Sequence, residues 1–118
     1  MFTVNGYRVA ITKGDTGEMV INLTGRNFVS TDRVTVTIAN NSGTTKLLDR
    51  EEYEITDGHV TVQFTNAMTR EWAPGTYQWE ARFYSNPTKD TNQKITGGSF
   101  VRTPIEAQEF RVLKALGE

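Results

Sequence analysis

Apolar and polar residues alternate along most of this chain, and the alternation is clearest in the segment that follows Pro74 and Gly75. Successive side chains of a β-strand point to opposite faces, so a period of two places one set of residues on a single face. The residues of that set are Tyr77, Trp79, Ala81 and Phe83. Because large rings are costly to leave in water, we expect this aromatic face to lie at the centre of a core.

A sharp turn is predicted immediately before this strand. Pro74 fixes φ at the second position of a β-turn, and Gly75 is expected to supply the positive φ that the third position of a type II turn requires. A β-branched residue tolerates positive φ poorly, so the substitution Gly75→Val is expected to destabilise the fold. Trp72 lies at the same corner, where a bulky side chain is expected to plug the end of the core.

The same alternation predicts other short strands between turn signals. Together with the aromatic strand, the predicted strands lie near residues 7–11, 19–24, 34–38, 44–48, 53–55, 60–64, 77–83 and 94–102. Asp57 and Gly58 separate two alternating runs, which is the strongest short-range signal for a hairpin because both residue types tolerate positive φ. About seven short strands with regular turns predict an all-β fold, an antiparallel sandwich of two sheets.

Residues 104–118 carry a different pattern and are predicted to form a short C-terminal helix or connector behind a sandwich domain of residues 1–103. Thr103, Pro104 and Glu106 together are typical of a helix N-terminus, because they offer a cap, a first helical residue and a capping-box partner. The apolar residues that follow at near-helical spacing are Ala107, Phe110, Leu113 and Leu116. Two roles stay open for this helix, packing on the sandwich or contacting another protein. The residues assigned to a protein contact are Phe110, Val112, Leu113 and Leu116.

Composition excludes several classes of function. The net charge of -1 is spread along 118 residues, so no basic field is available to attract nucleic acid or an anionic membrane. The chain has no cysteine, which rules out disulfides and thiolate metal sites. The N-terminal residues lack the features of a signal peptide, and no apolar run approaches the roughly 20 residues of a membrane helix. We therefore expect a protein that stays in the cytoplasm of its cell or leaves it by lysis.

The titratable residues do not predict an enzyme. His59 is the only histidine and lies beside the Asp57–Gly58 turn, without a nucleophile or an orienting partner nearby in the sequence. The acidic residues Asp49, Glu51, Glu52 and Glu54 lack the spacing of a calcium loop. A charged edge strand that discourages edge-to-edge pairing explains them better. No catalytic, metal or cofactor residue is predicted.

Two further aromatic residues leave a binding function open. Trp72 and Tyr84 lie outside the set that the strand alternation assigns to the core. Tyr84 has the opposite parity to Phe83, so we expect its ring to be exposed. Exposed rings often form carbohydrate-binding platforms, and the alternative function is therefore a carbohydrate-binding or adhesin-like module. The other rings of the aromatic strand are assigned to the core, so a glycan or small-molecule ligand is not expected there.

Three short stretches resemble a known protein family. Residues 11–17, the Trp72-to-Trp79 corner and the strand at residues 98–101 are similar to strand-and-turn signatures of the N-terminal modules of phage baseplate upper proteins and other tail-associated proteins. The resemblance implies an immunoglobulin-like sandwich that attaches to a virion baseplate or tail. It also implies virion proteins as partners and a location in the virion or in the host cytoplasm. Such modules carry further domains behind them; residues 1–118 are not expected to include a receptor-binding or shaft domain, so assembly rather than receptor binding is the expected function.

The leading hypothesis from the sequence is therefore a non-enzymatic structural or assembly module of a phage or prophage particle. It predicts docking or self-association, giving a homo-oligomer, through a sheet edge or through the 104–116 helix. Val112, Leu113 or Leu116 would then be exposed at the contact.

Overall fold

The computed structural model of the chain describes residues 1–117, apart from the side chains of Thr3 and Asn5. Nearly all of its regular structure is β-strand, and the one helical element is a single turn after the sixth strand. The elements are β1 (Phe2–Asn5), β2 (Arg8–Thr12), β3 (Gly17–Asn22), β4 (Arg33–Ala39), β5 (Lys46–Glu54), β6 (His59–Phe64), α1 (Asn66–Thr69), β7 (Gly75–Ser85), β8 (Thr88–Lys89), β9 (Ile95–Gly97) and β10 (Phe100–Leu113). The predicted all-β class is confirmed.

The strands of the described chain form one large sheet and two small ones. The large sheet has six strands in the order β1-β2-β10-β7-β4-β5. Strands β3 and β6 pair only with each other, and β8 and β9 form a short hairpin. All pairs are antiparallel except β2 with β10, which run parallel.

One hydrophobic core is shared by the six-stranded sheet and the β3–β6 pair. At its centre, the rings of Phe64, Trp72 and Phe110 meet edge to face with centroids 5.7–5.9 Å apart. Such aromatic pairs add about 0.5–1.5 kcal/mol each beyond the area they bury. Trp79, almost completely buried, donates its indole N–H to the carbonyl of Tyr7 at 2.7 Å. The core therefore joins residues from both ends of the chain.

The predicted aromatic face of β7 is confirmed. Its alternating residues are buried in the core as a set, and Trp72 at the preceding corner is buried with them; the set is Tyr77, Trp79, Ala81 and Phe83. The predicted tight turn at Asp57 and Gly58 is confirmed, since both residues have positive φ, 52° and 76°, and Thr56 pairs with His59 across it. The predicted hairpin does not extend beyond this pair, because β5 pairs with β4 and β6 pairs with β3, in different sheets. Alternation and turn chemistry act over a few residues, which is why the sequence alone identified these elements.

The predicted type II turn at Pro74 and Gly75 is wrong. Gly75 is the first residue of β7 and does not have positive φ. A Cβ at this position would lie 3.7 Å from the nearest atom of the Tyr77 ring, an ordinary contact, so the expected strain in Gly75→Val has no basis. The corner is held instead by the Tyr77 hydroxyl, which donates a hydrogen bond to the carbonyl of Ala73 at 2.6 Å.

The predicted C-terminal helix is also wrong. Most of residues 104–118 belong to β10, and Glu118 lies outside the described residues. The pairing of β10 with β7 shifts register between Arg102 and Ile105 and again between Ile105 and Gln108. These irregularities break the period of two, because each shift offsets the residues that face the core. The buried residues of β10 are Ile105, Phe110 and Val112, so Phe110 is the only one of the positions with near-helical spacing that is fully buried.

Candidate functional site

The predicted contact residues have three different fates in the structure. Phe110 and Val112 are buried in the core, so the expectation that Val112 is exposed is wrong and neither side chain is available to a partner. Leu113 is half-buried, and Leu116 is fully exposed beyond the end of β10. A role of Leu113 and Leu116 in a protein contact stays a prediction, on a strand end rather than on a helix.

The predicted exposure of Tyr84 is wrong as well. Strand parity places its side chain opposite to that of Phe83, yet Tyr84 is only 5% exposed. The following hairpin, β8–β9, is tied to β5 by an ion pair from Lys89 to Glu52 at 3.1 Å and by the ammonium of Lys94, which donates to the carbonyl of Asp49 at 2.8 Å. Parity thus predicts the face of a side chain but not what covers that face.

The predicted charged edge strand is confirmed at β5, which is the last strand of the large sheet. Arg33 on β4 reaches Glu52 and Glu54 at 3.6 and 3.5 Å. Although burial alone would raise the pKa of Asp49, hydrogen bonding from Arg50 and the charge of Lys46 hold it below the ordinary value. The described residues include no group of three or more His, Asp or Glu side chains placed to hold a metal ion.

The backbone of β5 is also irregular. Arg50 has φ of 48°, and its N–H is donated to the hydroxyl of Thr37 on β4 rather than to a regular ladder carbonyl. The register with β4 shifts in the same region, between Val36 and Ile38. Burial, together with the charge of Glu51, raises the pKa of Tyr53 on this strand to about 12. Charge and an irregular backbone both discourage another strand from adding to this edge.

The edge of the two-stranded sheet lacks these features. Strand β3 pairs with β6 without a register shift from Gly17 to Asn22, and its other edge has no partner strand among the residues that the structure describes. Its only charged residue is Glu18. Val20 projects to the outer face and is 49% exposed. A regular, weakly charged edge with an exposed β-branched residue is a template for pairing with another strand.

Strand β10 has a second unpaired edge. Its neighbour β2 pairs with it only from Phe110 to Leu113, which we call the closed segment. From Phe100 to Glu109, the open segment, β10 pairs with β7 on one side, and no strand in the described part of the chain pairs with the other side. Pro104 lies in the open segment, in keeping with the confinement of proline to edges and bulges.

A cavity of about 240 Å³ opens beside this open segment. Its walls come from the connection after β3, from the end of β7 and from the start of β10. The half-buried ring of Phe28 lies 5.6 Å from that of Phe83, which in turn lies 6.2 Å from that of Phe100. Leu23 and Pro104 complete the apolar part of the wall.

Two arginine side chains line the same cavity. The guanidinium carbon of Arg26 lies 4.5 Å from the centre of the Phe100 ring and 5.2 Å from that of Phe83. The guanidinium carbon of Arg102 lies 4.3 Å from the Phe100 ring. Neither guanidinium forms an ion pair with a carboxylate in the part of the chain that the structure describes. The cavity is therefore apolar with a concentrated positive charge.

Sequence reasoning did not identify these residues as a site. Arg26 is more than 70 positions from Phe100 in the chain, and only the fold brings them together. A faint signal existed in the connection after β3, where Phe28 is an apolar residue in a polar loop. The exposed Val20 was equally hidden, because alternation assigns it to the outer face without revealing that its strand is an edge.

Comparison of the chain with protein-family models, with curated proteins and with solved structures gives no match in any of the three. Within the described residues, no helix has both the length and the apolar character needed to cross a membrane. Inferences about function rest on the geometry above and on the sequence resemblance.

Proposed function

We propose that the chain is an immunoglobulin-like β-sandwich that works as a non-enzymatic assembly module, docking to other copies or to other proteins of a phage or prophage tail or baseplate. The fold proposal is supported by the strand order, in which β2 runs parallel to β10 at one side of the large sheet while β3 and β6 form a second sheet over a shared core. The hydrogen bond from the hydroxyl of Tyr77 to Ala73 resembles the tyrosine corner of such sandwiches.

The observation that carries the assembly proposal is the contrast between two of the edge strands, β5 and β3. The first is shielded by ion pairs and an irregular backbone, whereas the second is regular and exposes Val20. Strands β3 and β6 bury one face in the shared core, and the outer edge of β3 has no partner strand among the described residues. A protein that protects one edge and leaves another regular has an edge suited to docking.

The occupant we propose for this edge is β3 of a second copy, paired antiparallel about Val20. In that register Val20 faces its own counterpart and Glu18 faces Asn22, so the two carboxylates are not opposite each other. A twofold contact of this kind is self-complementary. It involves one short strand from each copy and falls below the roughly 1,000 Å² of a stable interface, so the association is weak and depends on concentration.

Sedimentation equilibrium over a series of protein concentrations tests this contact. We expect the wild-type chain to show a monomer–dimer equilibrium and Val20→Lys to remain a monomer, because two lysines would meet at the twofold axis. Thr61→Lys is the matched control, since Thr61 is the partner of Val20 on β6 and projects from the same face of the sheet but does not lie on the β3 edge. A wild-type chain that is monomeric at every concentration, or equal dimerisation of Val20→Lys, contradicts the proposal.

The phage assignment has a separate test, since it rests on the sequence resemblance alone. Genes for tail or lysis proteins beside the gene for this chain would support it. A gene neighbourhood without phage functions would contradict it and leave the edge contact to be judged by sedimentation.

A further inference from the structure

The cavity beside the open segment of β10 has the size of a single-ring ligand. Its volume of about 240 Å³ lies just below the roughly 300–1,000 Å³ of pockets for drug-sized molecules. Rings from three separate parts of the chain surround it, namely Phe28, Phe83 and Phe100. Such walls favour a flat apolar group, since aromatic rings prefer offset or edge-to-face packing against one another.

The charge in the cavity is positive and uncompensated. Arg26 and Arg102 both stack on Phe100, on a chain whose net charge is -1. The carboxylate in the same connection, that of Asp32, is buried and accepts a hydrogen bond from the backbone N–H of Val29 at 2.9 Å, and it forms no ion pair. Nη1 of Arg102 donates a hydrogen bond to the carbonyl of Val101 at 3.0 Å. The other N–H groups of a guanidinium stacked on a ring point outward in the plane of the guanidinium, a geometry that suits a carboxylate.

The backbone beside the cavity does not favour an added β-strand. Pro104 lacks an N–H, and the register of β10 shifts on both sides of Ile105. Both features interrupt the row of donors and acceptors that an added strand would need. The occupant is therefore a compact group held by side chains, not an extended peptide.

We propose that this cavity is a binding site for a small aromatic carboxylate. The ring of the ligand packs among Phe28, Phe83 and Phe100, and its carboxylate accepts hydrogen bonds from Arg26 and Arg102. The proposal departs from the sequence-based expectation that no small molecule binds, and it is independent of the β3 contact, which lies on a different strand edge.

A titration of the full chain with phenylacetate, followed by amide chemical shifts in NMR spectra, tests the site. The comparison ligands are 2-phenylethylamine, which has the same ring with a positive charge, and acetate, which has the carboxylate without the ring. We expect phenylacetate to produce saturable shifts confined to residues 23–28, 83–85 and 100–104, and to bind at least about tenfold more tightly than either comparison ligand because both halves of the ligand contribute.

The variants are Arg26→Gln, Arg102→Gln and the double substitution, with Arg111→Gln as the control. Arg111 is an exposed arginine of the same strand, in the closed segment. We expect the double variant to bind phenylacetate at least about tenfold more weakly and Arg111→Gln to bind it as the wild type does. The dispersion of the amide spectrum verifies that each variant is folded. If the double variant does not fold, the phenylacetate affinity of each single variant is compared with that of the wild type instead.

Any one of the following results would overturn the proposal. One is equal binding of 2-phenylethylamine, which would mean that the arginines do not select the ligand. Another is equal binding of acetate, which would remove the role of the rings. The third is unchanged phenylacetate binding in both single variants or in the double variant, or shifts scattered away from the cavity.

Discussion

The closed and open segments of β10 belong to one strand but have different surroundings. The closed segment is paired with β2 and β7 at once, and its Phe110 and Val112 lie in the core. The open segment is paired on one side, contains Pro104 and two register shifts, and lines a cavity with Arg102. Two of the three buried side chains of β10 thus lie where both of its edges are paired, and the strand lines the cavity where only one edge is paired.

The largest loss of stability is expected from shortening a buried side chain in the closed segment. Phe110→Ala removes a fully buried ring that contacts Phe64 and Trp72, and it should lower the free energy of unfolding by about 3–5 kcal/mol because a cavity remains. Phe100→Ala is the matched change in the open segment, where the ring is only half-buried, and should cost distinctly less. Urea unfolding measures both variants. Equal losses would mean that the two segments do not differ in the way described.

A smaller effect is expected at the corner that aligns β7 with the closed segment. Tyr77 is the register partner of Phe110, and its hydroxyl bonds the carbonyl of Ala73. Tyr77→Phe removes that donor and should cost about 1–2 kcal/mol, since a partly buried carbonyl loses its partner. Tyr7→Phe, on an exposed ring, serves as the control and should be nearly neutral. Thermal unfolding that finds the two variants equal would speak against a structural role for this bond.

Hydrogen exchange compares the segments without any substitution. Amides of the closed segment lie between two partner strands, so the slowest of them should exchange at least about tenfold more slowly than those of the open segment, a difference of about 1.4 kcal/mol in opening free energy. Amide exchange followed by NMR gives the rates residue by residue. Uniform protection along β10 would show that the open edge is covered in solution.

The smallest effect is expected from the arginine stacked on the open segment. Arg102→Gln removes the contact with the ring of Phe100 and should cost about 0.5–1 kcal/mol, the usual size of an exposed cation–π contact. Arg111→Gln in the closed segment should be close to neutral, because Arg111 is exposed and has no such ring contact. Denaturant unfolding compares the pair. If Arg102→Gln lowers the free energy of unfolding no more than the control does, the stacking of Arg102 on Phe100 does not stabilise the fold.

The sequence by itself determined the elements that depend on neighbouring residues. Strict alternation identified β7 and its buried face, and the dipeptide at Asp57 and Gly58 identified a tight turn, because side-chain direction and φ are set within a few residues. The charged edge strand could also be predicted, since the four acidic residues of β5 lie within six consecutive positions of the chain, 49–54. These features amount to the class of the fold and most of its core.

The tertiary structure alone decided the remainder. The register shifts around Ile105 belong to the pairing of β10 with β7, which the sequence alone does not reveal. Without knowledge of that pairing, the pattern of residues 104–113 predicts a helix. Tyr84 is buried although its parity points outward. Arg26 meets Phe100 only because the connection after β3 and the start of β10 lie side by side in the fold. Local patterns determine the direction in which each side chain of a strand points. Which strands are edges, which faces are buried and where cavities form depend on which strands become neighbours in the fold.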